Sequence, residues 1–133
     1  IAEVTRKEMR HSDVLARFGG EEFIALLEDT QLQDSLVIAE RIRCAIQKQY
    51  IYVESNHAIR FTISIGVAEL ESHTQTLEDL IKQADIALYQ AKKSGRNRIE
   101  VYHPDMLNKP KPATENPWNV FKPDTQPAQS TAN

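Results

Sequence analysis

The chain has 133 residues, 41% hydrophobic and 26% charged, a composition typical of a soluble globular protein. This length allows one domain with a real core, and the formal net charge of −3 argues against a surface for nucleic acid or membrane. The single cysteine, Cys44, excludes an internal disulfide and is compatible with a reducing cytosol. We see no signal peptide or membrane-length apolar run in the sequence, and we expect no membrane contact by this domain.

Helix and strand patterns alternate from the start of the chain. Residues 1–11 resemble the end of a helix, and two short apolar strands at 13–18 and 23–27 flank GGEE and predict a hairpin. The apolar spacing over 32–49 predicts a helix. A short strand is then predicted at 51–53, and the apolar alternation over 61–67 predicts another.

The last predicted elements are a helix over 76–94 and a strand over 98–102. Thr76 with Asp79 resembles a capping box, and Gly95 is suited to the C-terminal cap. Helices between strands, together with one hairpin, predict a mixed sheet covered by helices.

Composition changes near His103. All six prolines lie at or after Pro104, and all four glycines lie at or before Gly95. The tail from 104 to 133 has no apolar periodicity and is predicted to be disordered. A small apolar cluster around Trp118 in this tail is either a chance cluster or a short docking motif.

The stretch GGEE at 19–22 puts two glycines and two carboxylates in a predicted two-residue hairpin turn. Glycines there adopt positive φ at little cost, and they leave the backbone open to a ligand. Glu21 and Glu22 are adjacent and point to opposite faces of a strand. Carboxylate oxygens are common ligands of Mg²⁺ in proteins. From these residues alone, a metal or substrate site and a plain turn with solvated acids both stay open.

Two basic motifs are likewise open to a functional and a structural interpretation. In KKSGRN, Lys92 and Arg96 lie on one side of a helix end, where they either grip phosphate or complement the helix dipole. In RHSD, Arg10 and Asp13 form either a surface ion pair or a combined site for a guanine base and a phosphate. Arg41 on the next helix is a candidate to join that second site.

Taken in order, RHSDVLARFGGEEF, LVIAERIRCAI, FTISIGVA and LIKQADIALYQAKKSGRNRI closely resemble the GGDEF family of diguanylate cyclases. The resemblance covers residues 1–102, so we assign 1–103 to a GGDEF domain and 104–133 to the tail. It implies an α/β, palm-like fold related to nucleotidyl cyclases. In that fold a central mixed, mostly antiparallel sheet is flanked by helices.

The resemblance also implies an activity. The family condenses two GTP molecules into cyclic di-GMP and releases two pyrophosphates, with Mg²⁺ or Mn²⁺ as cofactor. Each domain holds one GTP, so a second GGDEF domain must face it in a homodimer. Because GTP is cytoplasmic, we expect the domain to face the cytoplasm.

Residue roles follow by position from the same resemblance. Glu21 resembles a metal ligand near the attacking hydroxyl, and Glu22 resembles the second catalytic acid. The substrate-binding positions are Gly19, Gly20, Lys92 and Arg96, the last two on the terminal phosphates. Arg10 and Asp13 match the RxxD motif of an inhibitory product site, which Arg41 completes. This implies allosteric feedback inhibition by cyclic di-GMP.

The resemblance is incomplete at the N-terminus. The family's first helix and its first strand, which carries a metal-ligating aspartate, are not found in this sequence. We therefore expect the chain by itself to be inactive, poorly stable or both, because Mg²⁺ needs several placed oxygens. Two alternatives stay open: a catalytically silent receptor for cyclic di-GMP or GTP, and a structural dimerisation module.

Overall fold

The computed structural model describes residues 1–54, 57–71 and 76–108. The helices are α1 (Ala2–Lys7), α2 (Leu32–Gln47) and α3 (Leu77–Lys93). The strands are β1 (Val14–Arg17), β2 (Phe23–Leu26), β3 (Tyr50–Val53), β4 (His57–Arg60), β5 (Ile65–Val67) and β6 (Ile99–Val101). A short 3-10 helix, Pro104–Asn108, follows β6 at the start of the proline-rich segment. The remainder of the predicted tail and its Trp118 cluster lie outside the described residues.

The strands pair two by two. β1 pairs antiparallel with β2 and β3 antiparallel with β4, whereas β5 and β6 are parallel. The predicted α/β class with mostly antiparallel pairing is confirmed. Within the part of the chain that the structure describes, these three pairs do not join into one continuous sheet. Apolar side chains such as Val14 therefore stay exposed on the first hairpin.

The second hairpin differs from the sequence prediction. The strand predicted at 51–53 is confirmed, and it pairs with β4, which the sequence pattern did not indicate. The alternating segment 61–67 forms a strand only over β5. Phe61 and Ile63 pack against the buried side of α2, so these two side chains face the core as the alternation indicates.

The core lies along α2. Ile38, Ile42 and Ile46 are one helical turn apart, and they form the buried cluster of this helix. Partly buried side chains from α1, from β5 and from the segments between elements pack around them: Val4, Met9, Leu27, Phe61, Ile63 and Ile65. The apolar spacing that predicted this helix thus also identifies the face that it buries.

Helix α3 connects β5 to β6 and packs on β5. A Cβ built on Gly66 would overlap the carbonyl oxygen of Ala84 and the amide nitrogen of Leu88, and would lie 2.9 Å from the Cα of Leu88. Only glycine allows the strand backbone to come this close to the helix backbone. The position of α3 is therefore set by backbone-to-backbone contact.

Both ends of α3 are capped as the sequence predicted. The Thr76 hydroxyl accepts a hydrogen bond from the Asp79 amide (3.1 Å) and donates one to the Asp79 carboxylate (2.7 Å). At the other end Gly95 has φ +115°, and the Arg96 amide donates to the Ala91 carbonyl at 3.0 Å. This is the hydrogen bond of a Schellman motif, and it fixes how the chain leaves α3.

Gly66→Ala should destabilise the fold, because its methyl group has no room between β5 and α3. We expect a loss of about 1–3 kcal/mol in the free energy of unfolding, as for an overpacked core. Urea denaturation followed by circular dichroism measures it.

Gly20→Ala is the matched control, since a Cβ at Gly20 would meet nothing within 4 Å. A loss of stability at Gly20 equal to that at Gly66 would contradict the role given to the β5–α3 contact.

Candidate functional site

The acidic turn, residues 18–22, joins β1 to β2. The Phe18 amide donates to the Glu22 carbonyl at 2.7 Å, which leaves three residues at the tip of the hairpin. The prediction of a two-residue turn is therefore wrong, and the turn has three residues. Of the two glycines, Gly19 has the positive φ, +73°. Three tip residues move Glu21 away from the strand ladder, and its side chain is exposed at the tip.

The glycines leave open space above this turn. A Cβ at either Gly19 or Gly20 would have no neighbouring atom within 4 Å. Arg17 closes the turn from below, because its Nε and Nη2 atoms donate to the Gly20 carbonyl at 3.2 and 2.6 Å. None of the sequence motifs indicated Arg17. The acidic turn is thus fixed in shape and open on its outer side.

An ion pair brings the basic end of α3 to the acidic turn. Lys92 Nζ lies 3.6 Å from Glu22 Oε1, and both side chains are partly exposed. Glu21 and Glu22 therefore lie in different environments, because Glu21 is exposed at the tip of the hairpin and Glu22 pairs with Lys92. Two motifs that are far apart in the sequence form one mixed-charge site.

The segment after α3, residues 95–97, has an unusual backbone. Gly95, Arg96 and Asn97 all have positive φ, at +115°, +61° and +47°. Glycine and asparagine tolerate this conformation, whereas it is uncommon for arginine. The Arg96 side chain is exposed. We call residues 95–97 the left-handed segment.

Arg43 of α2 reaches this segment. Its Nη1 atom donates to the Asn97 side-chain oxygen at 2.6 Å and to Gln47 Oε1 at 2.9 Å. The Glu40 carboxylate accepts hydrogen bonds from the Nε and Nη2 atoms of Arg43 at 2.8 and 2.6 Å. This bond holds the pKa of Glu40 down at about 2, against 4.5 ordinarily, and it raises the pKa of Arg43. Sequence analysis missed Arg43.

The RxxD residues lie at the other end of β1. Asp13 is only 1% exposed, and its Oδ2 atom accepts the Arg10 amide at 2.8 Å. Its Oδ1 atom is buried and accepts no hydrogen bond from the described residues. The Arg10 side chain is exposed. The motif thus presents one exposed cation beside one buried carboxylate.

Arg41 lies near this motif and is held by Glu8. Its Nη2 and Nε atoms donate to Glu8 Oε2 at 2.8 and 3.0 Å. Glu8 follows α1 and precedes Arg10 by two residues. The structure therefore places Arg41 beside the segment that leads into RxxD, with its guanidinium on an acid that the sequence analysis did not consider.

The acidic turn has donor chemistry that fits a magnesium ion only in part. Glu21 offers an exposed carboxylate, and Mg²⁺ is often bound by one or two carboxylates together with substrate phosphates. Over residues 1–54, 57–71 and 76–108, no cluster of three or more His, Cys, Asp or Glu side chains could hold a metal ion. Among these residues no helix is long and apolar enough to cross a membrane.

Comparison with known proteins shows the family of this chain. Residues 1–98 match the family described as "Diguanylate cyclase, GGDEF domain". The chain belongs to this family. It is 36% identical over 99 residues to diguanylate cyclase A of Treponema denticola, an alignment that covers 74% of this chain and 26% of that protein.

Solved structures of GGDEF domains have the same fold as this chain. The isolated GGDEF domain of TpbB (YfiN) from Pseudomonas aeruginosa superposes with a TM-score of 0.74 at 31% identity, over 81% of this chain and 63% of that one. The GGDEF domain of DgcB from Caulobacter crescentus, in complex with c-di-GMP, gives 0.70 at 27% identity, over 75% and 59%. The chain spans 20–26% of the length of the curated relatives it matches.

Glu40→Gln should reduce stability in a pH-dependent way. The pKa of Glu40 is depressed in the folded state, so its contribution is present above about pH 4.5 and is lost as pH falls towards 2. Because the Glu40 side chain is 52% exposed, we expect a deficit of only about 0.2–1 kcal/mol at pH 7. Thermal unfolding of both proteins between pH 7 and pH 2.5 measures this difference. A deficit that grew towards low pH would contradict it.

Proposed function

We propose that the complete protein is a diguanylate cyclase and that this chain supplies part of its GTP site. The observation that carries the proposal is the approach of Lys92 to Glu22, which joins the acidic turn to the basic end of α3. A nucleoside triphosphate needs both features. Its phosphates bind to cations, and its reacting centre needs carboxylates for a divalent ion.

The residues divide the work by their chemistry. Lys92 and Arg96 bind the terminal phosphates, and the bare backbone of Gly19 and Gly20 lets the nucleotide lie against the turn. Glu21 would hold Mg²⁺ or Mn²⁺, which when bound neutralises phosphate charge and makes the 3′-hydroxyl more acidic. Glu22, held by Lys92, is the second acid and supports the site.

Catalysis needs two copies of this site. One domain binds one GTP, and the 3′-hydroxyl of that GTP attacks the α-phosphorus of the GTP on a second domain. Pyrophosphate leaves, and the same step in the other direction closes the ring. We therefore propose a homodimer of GGDEF domains in the cytoplasm, with GTP as substrate and cyclic di-GMP as product.

We propose that the RxxD site binds the product, cyclic di-GMP, and thereby inhibits synthesis. Exposed Arg10 would bind a phosphate of cyclic di-GMP, and Asp13 Oδ1 has a free acceptor position for a guanine N–H. Arg41 joins them by exchanging Glu8 for a phosphate. Asp13 is buried, so this binding requires the RHSD loop to open.

Glu21→Gln should abolish synthesis and leave product binding unchanged. Removing the charge of the metal-binding carboxylate is expected to lower kcat by at least about 100-fold, as for lost electrostatic stabilisation. Chromatographic detection of cyclic di-GMP formed from GTP and Mg²⁺ by the complete protein measures it.

Two outcomes would decide against the enzyme. If wild-type protein binds cyclic di-GMP but never converts GTP, the domain is a silent receptor. If it binds neither nucleotide, it is a structural dimerisation module. The chain by itself should not turn over GTP, since Mg²⁺ needs more oxygen ligands than Glu21 and Glu22 supply, and robust turnover would refute that expectation.

Arg10→Ala should weaken cyclic di-GMP binding. The loss of one charge-assisted hydrogen bond to phosphate predicts an affinity lower by about 10–100-fold. Calorimetric titration of the dinucleotide into wild type and variant measures this, with Lys82→Met as a control. Lys82 is an exposed lysine paired only with Glu78 on α3 in the described structure. Equal affinities for wild type and Arg10→Ala would remove the inhibitory-site assignment.

A further inference from the structure

We propose that Arg43 is a positioning residue for GTP, and that it acts by holding the left-handed segment 95–97 in the shape that presents Arg96 to the terminal phosphates. The proposal rests on the proposed function, because it assumes that Lys92 and Arg96 bind those phosphates. It adds a residue on another helix, which reaches the site only through Asn97.

The guanidinium of Arg43 is fully used within the protein. It has five N–H groups. They match five contacts: two to Glu40, one each to Gln47 and Asn97, and one to Cys44 Sγ at 3.3 Å. The side chain is only 15% exposed. No N–H group is left for a substrate, so Arg43 acts on the site indirectly.

The left-handed segment needs such support. Three successive positive φ angles place Arg96 in a conformation that a non-glycine residue seldom adopts. On one side the segment is tied to α3 by the Arg96 amide and the Ala91 carbonyl. On the other side, the 2.6 Å bond from Arg43 to Asn97 ties it to α2.

The hydrogen bond from Arg43 to Asn97 bears on the orientation of Arg96. The Arg96 amide makes the first of these hydrogen bonds, Asn97 next to it accepts the second, and the Arg96 side chain is exposed. Without the tie to α2, this residue can return to the ordinary helical region, and its guanidinium then points elsewhere. Glu40 fixes the orientation of Arg43 through two parallel bonds, so the tie is rigid.

Arg43→Met in the complete protein tests the proposal. The substitution keeps the length of the apolar stem. Of the acceptors that it releases, Glu40 and Gln47 are exposed to water, and Asn97 and Cys44 are partly exposed. We expect KM for GTP to rise by about tenfold, as for a lost charged hydrogen bond, with kcat changed by less than about twofold. Affinity for cyclic di-GMP should be unchanged, since in the described structure Arg43 makes no hydrogen bond to Arg10, Asp13 or Arg41, and Arg41 is held by Glu8 instead.

Asn97→Gly is the second variant, because glycine accepts the φ of +47° while losing the acceptor. It should raise KM as Arg43→Met does. The double variant should be no worse than either single one, since both remove the same bond. Lys82→Met, which also removes one cation, should leave KM at the wild-type value.

The outcomes separate this inference from the proposed function. If Arg96→Ala raises KM for GTP but Arg43→Met does not, the positioning role is wrong and the phosphate site stands. If Arg96→Ala and Lys92→Ala also leave KM unchanged, the phosphate assignment itself fails. Additive effects of Arg43→Met and Asn97→Gly would show that Arg43 does not act through Asn97. If Arg43→Met weakened cyclic di-GMP binding as much as it raised KM for GTP, the cause would be general damage to the fold. That result would also overturn the positioning role of Arg43.

Discussion

The contact of α3 with β5 at Gly66 is the constraint on which the rest of the site depends. The strand backbone at Gly66 lies directly against the backbone of Ala84 and Leu88, so any larger side chain at this position would push α3 away from β5. The C-terminal end of the same helix carries Lys92, which pairs with Glu22 on the acidic turn. A displacement of α3 would separate Lys92 from Glu22, because the lysine lies on the helix and the glutamate lies on the turn of the first hairpin.

Strand β1 connects two sites of opposite character. Its four residues span roughly 13 Å, with Asp13 before them and the acidic turn after Phe18. The carboxylates of the turn are exposed or partly exposed, whereas Asp13 is buried. In the proposed enzyme, a short strand thus separates the position that responds to product from the position that meets substrate.

Much of the local structure could be predicted from the sequence. The bounds of α2 and α3, the caps at Thr76 and Gly95 and the hairpin around GGEE depend on neighbours within a few residues, so that local pattern and capping chemistry suffice. Strand β4 was missed, because its residues are exposed on both faces and show no apolar alternation. The ordered series of motifs also indicated the family, which the family match over residues 1–98 confirms.

The contacts between these motifs were beyond the sequence. The sequence by itself determined the motifs, since the glycines, the paired glutamates and KKSGRN are local features. Only the tertiary structure decided that Lys92 meets Glu22, that Arg41 meets Glu8 and that Arg43 holds Asn97. The physical reason is that each of these pairs joins different elements. Its distance is set by how helices and strands pack, and no local pattern records that packing.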